Sequence, residues 1–324
     1  MSTPEKARPL VVDQETVRDA LPHLDVRGAL RQMFRSLGSD AAVQPPQTLT
    51  LFPGGAGDFI TYLGAMTPAK VFGAKLSPYL VTGSRPIITA WSALMSMETG
   101  QPLMFCDSGL LTTERTAGAT ALAVDELAAS DAATLAIVGS GAVGRAHLRH
   151  LASVRPWRSI RVFSPALQSD AAACAEIAAL DGRVILCSRI EECVDDADVV
   201  ALCTSSGTPV LQDGMLSKPA LVTSISTNVA NAHEIPPAWL PAMDVYCDYR
   251  QTTPLSAGEM TLAAQRHGWS PDHVRGDLPE LVLGTAEKPS YSKHAFFRSI
   301  GLGLEDVAIA LELFRHLNAQ QNDA

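Results

Sequence analysis

The sequence predicts an α/β protein built from a parallel sheet covered by helices on both faces, joined to a second, α+β domain. Short and nearly continuous apolar runs alternate with helical stretches from Thr134 onward, which is the pattern of strands buried on both faces. A glycine-rich turn, Gly139-Ser140-Gly141-Ala142-Val143-Gly144, closes the first of those runs. Ahead of Thr113 the rhythm differs, with strand-like segments separated by Gly-containing turns. A chain of 324 residues exceeds the size at which one core keeps growing, and 47% hydrophobic residues suffice for two.

The elements follow in order. Asp25 precedes Val26, Leu30, Met33, Phe34 and Leu37 at helical spacing, and Gly38 follows as a stop signal. Segments 47–52 and 58–65 flank Pro53-Gly54-Gly55-Ala56-Gly57 and read as two strands around a turn; further strands are expected at 70–76, 86–97 and 102–106. The last two join through Glu98-Thr99-Gly100, so this part reads as largely antiparallel. Thr113 is placed as the cap of an Ala-rich helix over 114–129. Strands at 134–138, 160–163, 184–187, 199–203, 221–225 and 245–247 then carry the parallel sheet, and a final helix over 302–317 aligns Leu304, Val307, Leu311 and Phe314.

The turn at 139 carries chemistry because of its setting between an apolar strand and a helix. Gly139 permits the tight turn, Gly141 leaves room for a pyrophosphate, and Gly144 lets helix and strand pack closely. The helix N-terminus offers free N–H groups to phosphate. This is the fingerprint of a Rossmann dinucleotide-binding domain, and the chain is expected to bind a nicotinamide cofactor. Some 20 residues on, where a carboxylate would take the ribose hydroxyls of NAD, stands Ser164, with Arg161 and Arg145 nearby in sequence. A hydroxyl tolerates a 2′-phosphate that a carboxylate repels, so NADPH is favoured and NADH stays possible. The cofactor-binding set is expected to comprise Thr116, Gly139 to Gly144, Ser164, Thr204, Ser205, Ser226 and Gly301.

A net charge of −9 without a basic stripe excludes a nucleic-acid backbone as partner. No run approaches a membrane-spanning length, and Met1 to Leu10 hold no signal-like apolar core, so a cytoplasmic protein is expected. The six cysteines are scattered and read as buried free thiols. His147 and His150 lie three apart on a helix, but no third ligand accompanies them and no metal is expected. No Gly-x-Ser-x-Gly elbow supports acyl transfer.

Ala74-Lys75-Leu76, the string Leu111-Thr112-Thr113-Glu114-Arg115-Thr116-Ala117-Gly118-Ala119, the turn at 139 and Phe297-Arg298-Ser299-Ile300-Gly301-Leu302-Gly303-Leu304-Glu305-Asp306 together resemble the ornithine cyclodeaminase and mu-crystallin family. The resemblance covers nearly the whole chain. It implies a substrate and dimerisation domain over 1–118 with 303–324, a Rossmann domain over 119–302, and a homodimer. It also implies that Arg115 holds a substrate carboxylate and that Lys75 contacts the same carboxylate or moves a proton at the imine nitrogen. Arg115 suits the task, since its planar fork matches a carboxylate with two hydrogen bonds.

Asn228 stands in 224–235 where the cyclodeaminases that this chain resembles carry an aspartate for acid–base steps. An amide cannot take up a proton, so ornithine cyclisation is not expected unless another acid such as Glu234 or Asp248 serves. With Lys75, Arg115 and Asn228 as the reacting-centre residues, the first reading is reduction of a cyclic ketimine carboxylate, supported by a likeness of Ser224 to Asn228 and of Asp248-Tyr249-Arg250 to the pyrroline-2-carboxylate reductases. The alternative is an NADP-dependent amino-acid dehydrogenase for arginine, another basic amino acid or alanine, with Asp58, Glu114 or Asp107 meeting a cationic side chain. A non-catalytic NADPH-binding protein is the rival from another class. The expected ligand is a small imino or amino acid.

Overall fold

A computed structural model describes residues 8–227 and 231–323. Its strands are β1 (Leu10–Val12), β2 (Ala42–Val43), β3 (Thr48–Leu51), β4 (Gly57–Met66), β5 (Val71–Leu80), β6 (Ile87–Ile88), β7 (Trp91–Ser96), β8 (Pro102–Asp107), β9 (Thr134–Val138), β10 (Ser159–Phe163), β11 (Val184–Leu186), β12 (Val199–Leu202), β13 (Leu221–Ser224), β14 (Asp244–Cys247), β15 (Val274–Asp277) and β16 (Ala295–Arg298). The helices used below are α1 (Val26–Gly38), α2 (Gly109–Leu127), α3 (Ala142–Leu151), α4 (Ala171–Ala178), α5 (Ile190–Val194) and α6 (Gly303–Asp323). The chain divides into two compact units, 1–115 with 302–324 and 116–301, the division falling within α2. Among the described residues no helix is long and apolar enough to cross a membrane.

In the first unit the strands run β1-β8-β7-β5-β4-β2, with β3 added to β4 and β6 to β5. All pairings but β1 with β8 are antiparallel. One face of this sheet packs against α6, whose Leu304, Val307, Ala308 and Leu311 join Leu30, Met33 and Phe34 of α1 in a common core. Asp25 caps α1, accepting from Gly28 N at 2.9 Å, as the sequence leads one to expect. The opposite face carries exposed Val11, Phe72, Leu76, Trp91 and Phe105.

The second unit holds an eight-stranded sheet in the order β11-β10-β9-β12-β13-β16-β14-β15. Every pairing is parallel. The strand order reverses between β9 and β12, and at such a switch point open α/β sheets bind ligands beyond the carboxyl ends of their strands. The predicted α/β class with a Rossmann-type sheet is therefore the observed one.

Three local expectations need correction. Helix α2 starts at Gly109, because Asp107 Oδ1 accepts from Gly109 N at 2.9 Å and Ser108 O from Thr112 N at 2.8 Å. Thr113 lies inside that helix and its hydroxyl donates back to Gly109 O at 3.4 Å. The run 86–97 is two strands, since Ala90 leaves the ladder and its carbonyl accepts from Ser108 N at 2.8 Å. Strands β15 and β16 fall where no strand was expected: each is four residues long, too short for a clear period.

Candidate active site

Of the cofactor residues expected from sequence, the turn at 139, Ser164, Thr204, Ser205, Ser226 and Gly301 follow the carboxyl ends of strands of the parallel sheet. Gly139 follows β9 with φ of +120°, a conformation that L side chains rarely adopt, and its N–H donates to Phe163 O at 2.8 Å. A Cβ on Gly144 would meet Gly139 O at 2.2 Å, whereas around Gly141 there is open space within 4 Å. Gly141 caps α3 without any side-chain bond, which leaves the first amides of the helix directed at a ligand. The cradle thus fits a dinucleotide pyrophosphate: tight where the backbone must turn, empty where phosphate must approach. Exposed Ala142 and half-buried Ser140 and Val143 complete the turn.

Ser164 follows β10 and is almost buried. The two arginines named beside it are committed elsewhere. Arg161 donates to the carbonyls of Glu192 and Asp195 at the end of α5, and Arg145 pairs with Glu176 while its Nε donates to Ser140 O at 3.2 Å. Of the two, only Arg145 lies against the turn, and Glu176 offsets its charge.

Glu234 is the residue that sequence reasoning undervalued. It is fully buried, and its Oε1 accepts from Thr204 N at 2.9 Å and Thr204 Oγ1 at 2.7 Å. Its Oε2 accepts from Ser224 Oγ at 2.7 Å, Ile225 N at 3.0 Å and Ser226 N at 3.2 Å. One carboxylate therefore ties together the loops after β12 and β13. Ser226 adds a second tie by donating to Ser206 O at 2.7 Å, while Ser205 is exposed. Asp248 plays the same part after β16, accepting from Ser299 Oγ at 2.9 Å, Ile300 N at 2.7 Å and Gly301 N at 2.9 Å. Both acids, held in reserve as proton carriers, are engaged with backbone amides instead. Asn228 lies outside the described residues. Thr116 sits half-buried in α2, its carbonyl accepting from Thr120 Oγ1 at 3.3 Å. His147 is no ligand candidate, because its ring nitrogens meet Val143 O at 2.8 Å and Thr120 Oγ1 at 3.0 Å.

In the first unit Lys75 and Arg115 come together. Strand β5 turns Lys75 into the core, where only 2% of it is exposed, and a lysine so placed requires a partner. Its Nζ donates to Asp306 Oδ1 at 3.0 Å and to Thr112 Oγ1 at 3.3 Å, and lies 4.2 Å from the centroid of the Tyr62 ring across the strand pair. Arg115, one turn along α2 from Thr112, donates from Nε to Asp306 Oδ1 at 3.2 Å and from Nη1 to Glu305 Oε2 at 3.0 Å. Burial pushes the Lys75 ammonium down to about 8, although Asp306 works the other way. Burial alone would lower Arg115 too, but Asp306 and Glu305 more than reverse it, so its guanidinium stays charged. Its Nε and Nη1 are thus engaged by the internal acids Asp306 and Glu305.

A dinucleotide turn in one unit and a buried Lys–Arg pair in the other can each be set beside known proteins. The family model for the ornithine cyclodeaminase/mu-crystallin family matches residues 8–321. This chain belongs to that family. Among family relatives, an NAD(P)H-dependent anabolic L-arginine dehydrogenase of Pseudomonas aeruginosa is 52% identical over 95% of this chain and 98% of its own length. A probable ornithine cyclodeaminase from Bordetella pertussis shares the fold with a TM-score of 0.86, at 27% identity, over 97% of this chain and 99% of that one. A Thermococcus litoralis Δ1-pyrroline-2-carboxylate reductase, solved with NADH and L-proline, superposes with a TM-score of 0.87 over 96% and 98%; at 18% identity it speaks for the fold alone.

Proposed function

We propose that this member of the ornithine cyclodeaminase/mu-crystallin family is an NAD(P)(H)-dependent L-amino-acid dehydrogenase acting on arginine. What carries the reading is the 52% identity to the arginine dehydrogenase over both chains' near-full length, together with the buried Lys75–Arg115 pair. It takes precedence over the reduction of cyclic ketimines, since the pyrroline-2-carboxylate reductase that shares the fold is only 18% identical. In the oxidative direction the substrate Cα–H leaves as hydride and the amine gives up a proton, the resulting imine adds water, and ammonia departs from that carbinolamine to leave the 2-oxo acid; the reverse sequence makes the amino acid. The nicotinamide, when bound, supplies or accepts that hydride. The chain's residues do the rest. Arg115 and Lys75 anchor the carboxylate and so orient the α-carbon, and the amides opening α3 hold the cofactor's pyrophosphate.

The three acids considered for a cationic side chain now separate. Asp107 accepts from Gly109 N, and it lies on the sheet face opposite Lys75, in the row Leu76–Trp91–Asp107. Glu114 is buried. Asp58 lies on the same face as Tyr62 and Lys75, opposite Tyr79, and is half-buried. It stands four residues along β4 from Tyr62, about 13 to 14 Å away. An arginine side chain reaches about 7 Å from its α-carbon, so with the Asp58 carboxylate extending from its own end a guanidinium can meet it, which an alanine side chain cannot. Asp58→Asn is expected to raise KM for L-arginine about 10- to 30-fold, a loss of roughly 1.5 to 2 kcal/mol, while a neutral amino acid of similar length is oxidised as before. A parallel loss on both substrates removes Asp58 from the side-chain site.

NADPH is the cofactor we place first, since Ser164 leaves the 2′-position without a repelling carboxylate. Ser164→Asp should weaken NADPH binding about tenfold and spare NADH, read by fluorescence titration of each. If the variant changes neither affinity, the ribose contacts come from another segment. The reading as a whole is tested by supplying NADP⁺ with L-arginine, L-lysine, L-ornithine and L-alanine and measuring 2-oxo acid and ammonia. Arginine should be oxidised fastest; ammonia from ornithine without net cofactor reduction would replace this reading with cyclodeamination.

A further inference from the structure

Lys75 and Arg115 are borne on different elements, and one carboxylate joins them. Asp306 stands with Oδ1 3.0 Å and Oδ2 2.9 Å from Lys75 Nζ, and with Oδ1 3.2 Å from Arg115 Nε; its side chain is 3% exposed. The approach that makes this possible is written in glycine. A Cβ on Gly303 would fall 2.4 Å from Leu63 N, and one on Gly64 would fall 2.7 Å from Leu304 Cα, so the start of α6 lies directly on the backbone of β4. Three residues on, Asp306 reaches the β5 lysine.

We propose that Asp306 is a positioning residue of the amino-acid site, holding Lys75 and Arg115 in one geometry and deciding whether Lys75 keeps its proton in the working pH range. Its kinetic consequence rests on the dehydrogenase reading; its effect on Lys75 does not. The groups around Lys75 are Tyr62 from β4, Thr112 and Arg115 from α2, and Glu305 and Asp306 from α6, with Cys106 of β8 also near Asp306. Tyr62 and Cys106 are both pushed up by burial and stay neutral across the physiological range. Of the two carboxylates, Asp306 alone accepts a hydrogen bond from Lys75; Glu305 acts on it through space. Against them stand desolvation and the nearby Arg115, both of which favour the neutral amine.

The sign of the effect is fixed by this balance. Lys75 is depressed from 10.5 to about 8 with Asp306 in place. Removing that charge leaves desolvation and Arg115 unopposed at short range, so Lys75 must lose its proton at still lower pH. The amine then no longer attracts a substrate carboxylate at neutral pH, and Arg115 loses the partner that orients its Nε.

Two measurements on the whole protein test this. The chain's lysines are Lys6, Lys70, Lys75, Lys218, Lys288 and Lys293, few enough for each ¹⁵Nζ resonance to be assigned by single Lys→Arg variants. Lys75 should titrate near 8 in the native protein, and in Asp306→Asn about one pH unit or more lower, with the other lysines unmoved. An unchanged or raised midpoint overturns the proposal, whatever substrate the enzyme uses. In kinetics, the alkaline limb of kcat/KM for the 2-oxo acid should move down with it, while cofactor affinity stays at the native value. A uniform loss across pH means a structural role only. Should Asp306→Asn not fold, Asp306→Glu carries the test: it keeps the charge, so the Lys75 midpoint must stay near the native one while KM rises severalfold. A native KM in that variant overturns the positioning role.

Discussion

Arg115→Lys should lower kcat/KM for the amino acid roughly 30- to 150-fold, a loss of about 2 to 3 kcal/mol, with the affinity for nicotinamide cofactor unchanged. An ammonium carries the charge but not the plane. It cannot face Asp306 and Glu305 at the 3.2 Å and 3.0 Å separations of Nε and Nη1 and still present a donor to a third carboxylate. Because the charge is kept, the buried acids remain compensated, and the thermal midpoint should fall far less than on Arg115→Met, which strands them. Steady-state kinetics with parallel cofactor titration reads both effects. Kinetics close to native would leave Arg115 as an internal counter-ion and nothing more.

Glu234→Ala is expected to reduce stability by about 3 to 5 kcal/mol and to weaken cofactor binding at least tenfold. Five donors lose their acceptor together: three backbone amides of Thr204, Ile225 and Ser226 and two hydroxyls of Thr204 and Ser224. They lie buried or half-buried where the loops leave β12 and β13, so water replaces the carboxylate only in part without opening them. Chemical denaturation and calorimetric titration of NADPH separate the two losses. A variant of native stability would mean that these donors find other partners.

Much of this molecule is legible in its sequence because the physics is local. The turn at 139 needs glycine where φ is +120° and where a Cβ would meet the Gly139 carbonyl, so its residues name their own geometry. The parallel strands of the second unit are nearly unbroken apolar runs, and Asp25 announces α1 by its cap. The start of α2 is less legible, since Thr113 is an acceptable cap by type and only the bonds from Gly109 N to Asp107 Oδ1 and from Thr112 N to Ser108 O set the start at Gly109. What sequence order conceals is long-range pairing. Lys75 and Arg115 are separated from Asp306 by 231 and 191 residues, and nothing in Leu304-Glu305-Asp306 reveals which helical acid points at them. Glu234 reads by sequence as a proton carrier because acids near a reacting centre often are; its five partners lie in loops whose meeting only the folded sheet defines. Asp58 and Asp107 looked equivalent until strand register put them on opposite faces.

The measurement that bears most directly on the account is reductive. Purified protein is given NADPH, ammonium and the 2-oxo acid of arginine in one reaction, and NADPH with Δ1-pyrroline-2-carboxylate in another, and nicotinamide absorbance is followed with product analysis. NADPH consumption should be matched by L-arginine in the first and be small in the second. Reduction of the cyclic imine to L-proline, with the 2-oxo acid left untouched, would contradict the dehydrogenase reading.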